Sequence, residues 1–323
     1  MARFAAGRLL ESLIVLGAMS FAVYILIGLM PGDPIDLMIS GNPRMTSEDA
    51  ARLRALYGLD RPLVERYATW LLSALQGDFG YSRSYAQPVL DILLPRLGNT
   101  MILMGLSLAA TLAIAIPLGV FAAVRPYSPA DNAINLFCFA GISMPSFWLA
   151  LLCIILFAVK LGWLPAGGME TVGGSGALDR LQHLIMPVAV LTVTNVGSFT
   201  RYMRASMIQT LRQDYIRTAR AKGAGPSRLL VGHALQNALL PLITIVGLSF
   251  GNLFSGALIT EIMFSWLGMG KLMYDAILGN DYNLALVGLL FATAATLIGN
   301  FLADIGQVAI DPRVTFAGRE ATQ

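Results

Sequence analysis

Residues 229–260 read LLVGHALQNALLPLITIVGLSFGNLFSGALIT, 32 consecutive positions between Arg228 and Glu261 without a charged side chain. About 20 apolar residues cross a bilayer as a helix, so this stretch is long enough to span one. Five more uncharged stretches qualify: 21 residues between Glu11 and Asp33, 28 between Arg96 and Arg125, 28 between Asp131 and Lys160, 20 between Arg180 and Arg201, and 22 between Asp281 and Asp304. The one ending at Arg201 is the weakest, because it includes His183 and Asn195. For any single stretch the alternatives are a buried soluble helix or a re-entrant segment. Six of them in 323 residues leave too little polar surface to clothe a soluble protein. The sequence therefore predicts an all-α membrane protein with six transmembrane helices.

Composition agrees with that reading. Hydrophobic residues make up 56% of the chain and charged residues 13%, whereas a soluble domain carries about 25% charged residues. Cys138 and Cys153 lie in one apolar stretch, about 22 Å apart along a helix, which excludes a disulfide between them and a cysteine-based metal site. His183 and His233 fall in different stretches, so zinc binding and histidine-dependent nucleophilic catalysis have little to work with. No metal and no nucleic-acid partner is expected.

Six spans put both termini on one side of the membrane. Twelve basic residues lie on that side: Arg3, Arg8, Arg125, seven within 201–228, Arg313 and Arg319. The short loops opposite hold only Lys160, Arg180 and Lys271. Cytoplasmic loops carry the excess of Lys and Arg, which predicts both termini in the cytoplasm. Residues 31–97 then lie outside, in a segment long enough to escape that rule, where seven arginines face eight acids. The first apolar run exceeds the roughly 7–15 residues of a signal-peptide core and lacks a small-x-small cleavage site before Pro31, so it reads as a retained helix.

The outer segment reads as a small helical subdomain. Thr46-Ser47-Glu48-Asp49 is an N-cap signature for a helix running to Tyr57-Gly58, and Asp60-Arg61-Pro62 opens a second that runs to about Leu75. Tyr67 and Trp70 are suited to pack it onto the membrane surface or a partner, with a purely structural lid as the alternative. Glycine-rich 166–176 reads as a flexible outer loop.

One connection stands apart, residues 201–232. It contains Arg201, Arg204, Arg212, Asp214, Arg217, Arg220, Lys222 and Arg228, and is broken by Gly223 and Gly225-Pro226. Asp214, Arg217 and Arg220 follow at intervals of three, on one helical face. A helix that stops at Gly223 and restarts after Pro226 projects a short amphipathic element beyond the bilayer. Contact with anionic lipid accounts for the charge alone. The small residues Thr218-Ala219, Ala221 and Gly223-Ala224-Gly225 suit close approach to another surface, which makes a docking element the better reading.

These residues resemble the permease subunits of ABC importers, and among them the first of the two permeases in dipeptide and oligopeptide systems. The general permease signature is Glu-Ala-Ala, three residues, Gly, nine residues, then Ile-x-Leu-Pro. The corresponding positions are Arg217-Thr218-Ala219, Gly223 and His233-Ala234-Leu235-Gln236, keeping the glycine and one alanine. The departures follow the peptide branch, whose loop runs Asp-Tyr-x-Arg-Thr-Ala-Arg-Ala-Lys-Gly, as residues 214–223 do. Its continuation His-Ala-Leu-x-Asn-Ala-Leu is matched by residues 233–239. The likeness extends along the chain through Leu29-Met30-Pro31-Gly32-Asp33-Pro34, Tyr57-Gly58-Leu59-Asp60-Arg61-Pro62 and Gly77-Asp78-Phe79-Gly80. It continues through Ser143-Met144-Pro145-Ser146-Phe147-Trp148, Leu161-Gly162-Trp163-Leu164-Pro165, Glu261-x-x-Phe264-Ser265-Trp266-Leu267-Gly268-x-Gly270 and Asp311-Pro312-Arg313.

The resemblance implies a type I ABC importer permease fold. Residues 1–30 would form a tail and the first helix, 31–97 a periplasmic helical loop, 98–310 a five-helix core containing coupling loop 201–232, and 311–323 a cytoplasmic tail. It implies that Asp214, Tyr215, Arg217, Thr218, Ala219, Arg220, Gly223 and Ala224 seat a coupling helix in an ATPase subunit. Gly223 would matter because a side chain there blocks the seating or obstructs the turn. The implied partners are a second permease, two cytoplasmic ATPases that hold the ATP and magnesium, an extracytoplasmic solute-binding protein and a peptide substrate. No cofactor belongs to this chain.

Two further patterns point to other chemistries and fail. Gly247-Leu248-Ser249-Phe250-Gly251 matches the hydrolase G-x-S-x-G, which needs a strand-turn-helix setting and a later histidine; both histidines come earlier. Gly247, Gly251 and Ser255 instead form a small-residue stripe for helix packing. Gly270-Lys271-Leu272 looks like the end of a phosphate-binding loop, but Ser265 stands where the first glycine belongs and Leu272 where Ser or Thr belongs.

Transport of a polar solute needs a wet path. Asn195, Ser198, Ser249, Asn252, Ser255 and Asn300 are candidate lining groups, with Glu261 and Asp304 near span ends, and an interhelical hydrogen bond is the alternative for each. His183 and His233 read as end-of-span anchors. The rival class is an ion- or proton-coupled secondary transporter, which favours inverted repeats, discontinuous helices and acids at span centres. No span centre carries an acid. A non-transporting scaffold leaves the small-residue loop unexplained. The substrate stays open among dipeptides, oligopeptides, glutathione, nickel chelates and oligosaccharides.

Overall fold

The computed structural model describes residues 2–29, 48–49, 52, 60–174 and 176–310, without the side chains at 2–4, 244, 248–256, 303 and 307–310. The helix expected over 46–58 lies almost wholly outside the described residues, as does the tail from 311.

Helix α1 is Ala2–Gly28. It is followed by α2 (Leu63–Leu75), an antiparallel pair of β1 (Tyr81–Ser82) and β2 (Gln87–Pro88), α3 (Val89–Val124), α4 (Pro129–Ser143) and α5 (Ser146–Cys153). A π-helical segment, Ile154–Lys160, continues α5. Then come α6 (Ala177–Leu211), α7 (Asp214–Ala221), a second π-helical segment Arg228–Leu235 that leads into α8 (Gln236–Met263), α9 (Met269–Leu278) and α10 (Tyr282–Ile310). Helix α2 starts directly after Pro62, as the Asp60-Arg61-Pro62 signal predicts.

Among the described residues, five helical stretches are long and apolar enough to cross a membrane. The stretch after Asp131 differs from the expected straight helix, because α4 and the α5 segment bend by 97° at their junction; together they supply a sixth crossing if counted as one span. Pro145 accounts for the break. It lacks the N–H needed to continue the ladder and holds Met144 in extended backbone, with ψ 124°. Helix α6 also overruns its uncharged stretch, extending 35 residues, about 52 Å. It therefore absorbs Arg201 and Arg204, and the connection to the next span starts only at Arg212.

The chain divides into two compact units. One comprises Met1–Leu9, Gly98–Lys271 and Ala295–Gln323, the other Leu10–Leu97 and Leu272–Ala294. In the first, Val196, Phe199, Met203 and Met207 of α6 pack against Ala115 and Ala123 of α3, and Ala238 and Leu242 of α8 join them. Small residues bring α4 and α6 together backbone to backbone. A Cβ on Gly197 would stand 2.5 Å from the Cys138 carbonyl oxygen, and one on Gly141 would stand 2.9 Å from that of Val193.

The glycine-rich 166–176 segment is pinned where flexibility was expected. The Gly168 N–H donates to the Phe264 carbonyl at 2.8 Å, and a Cβ on Gly167 would lie 2.7 Å from that same oxygen. The Asp179 carboxylate accepts from the Thr171 N–H at 2.8 Å and its hydroxyl at 2.6 Å. Glycine here permits close approach.

In the second unit, Tyr67 and Trp70 of α2 turn to α1. Tyr67 meets the Phe21 and Tyr24 rings edge-on at 5.1 and 5.5 Å, and shares a 2.6 Å hydroxyl hydrogen bond with Ser20. Trp70 packs on the same cluster. The hairpin is anchored by buried Asp281, which accepts from the Ser82 hydroxyl at 2.5 Å and the Ser84 N–H at 2.9 Å. Its other oxygen caps α10 through the Leu284 N–H at 3.3 Å.

Candidate coupling site and translocation path

Helix α7 is the isolated short element that the small-residue loop predicts. Eight residues are too few to hold a helix unaided. One side chain ties it down: Ile216, 1% exposed, sits in the same core as Met203, Met207 and Leu229. Asp214, Tyr215, Arg217, Thr218 and Arg220 are exposed, while Ala219 is half-buried. Arg217 and Asp214 pair at 3.1 Å in full solvent, a contact worth about 0–1 kcal/mol that leaves both free to be recruited. Partial desolvation pushes the Tyr215 phenol above its ordinary range.

The end of α7 is fixed by backbone chemistry. The Ala224 N–H donates to the Ala219 carbonyl at 3.1 Å and the Gly223 N–H to that of Arg220 at 3.0 Å, the bond pair of a Schellman stop. Such a stop needs a left-handed residue, and Gly223 has φ +83°. A Cβ on Gly223 would meet nothing within 4 Å. Of the two reasons the sequence offers for this glycine, the turn operates inside the chain, and the space around it is open.

The C-terminal half of α6, from which α7 hangs, is braced by a buried ion pair. Arg204 donates from Nε and Nη2 to the two carboxylate oxygens of Asp131, each at 2.6 Å, and Asp131 is 1% exposed. Asp131 also accepts from the Tyr127 N–H at 2.7 Å and the Asn135 amide at 2.8 Å. Ser128 caps the same helix start, with Pro129 as its first residue. Counted only as charges in the sequence, Asp131 and Arg204 lock α4 to α6.

The path residues separate. Ser198 lines a polar cavity of about 390 Å³ together with Asn135, Arg201, Tyr202 and Arg204. Asn195 spends its amide on the Leu191 carbonyl of its own helix at 2.7 Å. The side chains of Ser249, Asn252 and Ser255 lie outside the described residues. Asn300 Oδ1 is buried with no hydrogen-bond partner among the described residues. Asp304 pairs with Arg8 at 3.1 Å. His183 is buried, with Nδ1 2.9 Å from the Asp179 carbonyl oxygen, an anchor at the end of its helix as expected.

Glu261 departs from the lining role. It is fully buried, accepting from the Thr100 hydroxyl at 2.5 Å and the Lys271 N–H at 3.0 Å. Gly268 passes so close that a Cβ would run into the carboxylate, and a Cβ on Gly270 would stand 2.8 Å from Leu258 Cα. The Gly270-Lys271 pair that looked like a phosphate loop thus faces an internal carboxylate. Beside it, the Arg180 guanidinium donates to Asn99 Oδ1 at 2.6 Å, the Asn99 amide to the Leu267 carbonyl at 2.8 Å, and the Trp266 indole to the Asn99 carbonyl at 3.2 Å. Two glycines closely following a carboxylate were the available sign of this knot; nothing in the sequence pairs Thr100 or Asn99 with it. The Gly247–Gly251 stretch lies inside α8, not at a strand-turn-helix junction.

Comparison with known proteins identifies the architecture. Residues 115–316 match the family model described as binding-protein-dependent transport system inner membrane component, and residues 1–104 match the model of its N-terminal region. The chain is 39% identical over 318 residues to the oligopeptide transport system permease protein AppB of Bacillus subtilis, covering 98% of this chain and 100% of that one. It is 36% identical to the di/tripeptide transport system permease protein DppB of Pseudomonas aeruginosa, covering 95% and 96%. A solved structure of the MetNI methionine ABC transporter superposes with a TM-score of 0.56 at 18% identity, over 68% of this chain and 97% of that one, which shows a shared type I importer permease fold. The chain therefore belongs to the inner membrane components of binding-protein-dependent transport systems, the permease subunits of ABC importers.

Proposed function

We propose that this permease imports dipeptides or oligopeptides and is driven by a cytoplasmic ATPase docked on residues 214–224. The observation that carries the docking assignment is α7 itself. It is a short helix held by Ile216 and stopped at Gly223, with Ala219 half-buried and its other side chains turned outward. A rigid element of this kind transmits the closure of a partner as a rigid-body push on α6. The relatives named as oligopeptide and di/tripeptide permeases support the peptide substrate.

In this reading both termini and α7 face the cytoplasm, as the twelve basic residues against three favour. A second permease completes the pathway, two ATPases bind the ATP and magnesium, and a solute-binding protein delivers peptide at the outer face. ATP binding rearranges the helices and hydrolysis resets them. Uptake of a labelled dipeptide by cells expressing the system tests the energy source. It should stop on ATP depletion and persist when the proton gradient collapses; the reverse pattern would establish the secondary-transporter alternative.

A further inference from the structure

A groove of about 540 Å³ opens beside α7, where α3 and α6 end. Nine of its eleven lining residues are apolar, among them Val124, Ile208, Leu211 and Leu229. The other two are Arg212 and Arg220, both exposed, and neither forms an ion pair among the described residues. We propose that this groove binds one anionic phospholipid, its phosphate held by Arg212 and Arg220 and its acyl chain lying along the aliphatic wall.

Charge and depth both support a lipid. Two guanidiniums beside one cavity with no internal carboxylate call for an anion, and phosphate suits their planar donors. A carboxylate on a partner protein would also satisfy them, but it would leave the long aliphatic wall against an aqueous surface. Val124 is the last residue of the uncharged run 97–124, and Arg125 follows it, which puts the α3 side of this wall where hydrocarbon gives way to headgroups. Basic pockets between helix ends at the cytoplasmic face are suited to acidic headgroups. Because Arg220 lies on α7, the lipid would bridge the end of α6 to the docking helix. The site goes beyond the importer reading; it shares with it Arg220, Ala224 and the cytoplasmic placement of this end of the spans.

The test uses the assembled transporter in nanodiscs of phosphatidylglycerol or of phosphatidylcholine, released for native mass spectrometry, with co-purification of the ATPase read separately. Wild type should retain one phosphatidylglycerol per permease and no phosphatidylcholine, and excess inorganic phosphate should not displace it. Arg212→Gln should reduce retention about tenfold, the loss of one charge-assisted contact. Val124→Trp, at a half-exposed wall position, should reduce it by filling the groove. Equal retention of both lipids, or retention unchanged in both variants, overturns the site. Loss of the ATPase from Arg212→Gln with no lipid bound to wild type would assign the arginines to the protein partner and also overturn it. An ATPase absent from wild type would refute the importer reading instead, whatever lipid is bound.

Discussion

Arg204 grips Asp131 through two parallel hydrogen bonds of 2.6 Å, joining α4 to α6 where α6 leads into α7. A bidentate pair of this kind is stiff as well as strong. Any push on α7 that reaches α6 is therefore shared with α4. Breaking one partner leaves a buried, uncompensated charge. Arg204→Met should destabilise the protein by about 3–5 kcal/mol, and the double replacement Asp131→Leu with Arg204→Met should recover most of that loss. Thermal unfolding in detergent reads both, and a double variant as unstable as the single would refute the pairing argument.

Gly223 tests the turn. Gly223→Ala must adopt φ +83° with a Cβ and should lose about 1–2 kcal/mol locally, giving reduced but measurable uptake. Gly223→Glu adds a charged side chain on the docking face and should abolish uptake while the protein still inserts at normal levels. Uptake assays alongside membrane immunoblots make the comparison, and full transport by Gly223→Glu would remove α7 from the coupling role.

The Glu261 knot makes a steric prediction. Gly268→Ala should cost about 1–3 kcal/mol, since its methyl meets the carboxylate, and Thr100→Val should cost about 1–3 kcal/mol by leaving a buried oxygen short of a donor. Gly268→Ala combined with Glu261→Ala should be less damaging than the two costs added, because the clash disappears with the carboxylate. Melting temperatures of the four variants decide it; simple additivity would contradict the contact.

Asp281 holds the hairpin to the start of α10. Asp281→Ala strands the Ser82 hydroxyl and the Ser84 N–H, so the 78–88 segment should open and be cut faster by protease added to the detergent-solubilised protein. Equal digestion of wild type and variant would show that the anchor lies elsewhere.

Length and charge spacing revealed the crossings, because a bilayer imposes a minimum run whatever the partners are. The docking helix was readable for a similar reason: its stop signal, Gly223 before Gly225-Pro226, is local. Tertiary pairings were not. Arg204 reads as one more basic residue of a cytoplasmic loop, and Asp131 as a charge that ends a span, until folding joins them across a separation of 73 positions. Glu261 near a helix end reads as a pore group because nothing local announces Thr100. The bend at Met144-Pro145 was present in the sequence as a proline, but the uncharged run around it masked the break. Among the path residues whose side chains are described, Ser198 is brought to a polar cavity while Asn195 bonds its own helix, since an amide within a span satisfies itself on its own helix as readily as on solute.

The most direct test of the central claim is co-purification of the tagged chain in mild detergent, comparing wild type with Gly223→Glu and identifying partners by mass. Wild type should bring down a second permease and an ATPase, and Gly223→Glu should lose the ATPase while keeping the second permease. Recovery of the ATPase in equal amount with both chains, or of wild type alone under conditions that preserve membrane complexes, would contradict coupling through residues 214–224.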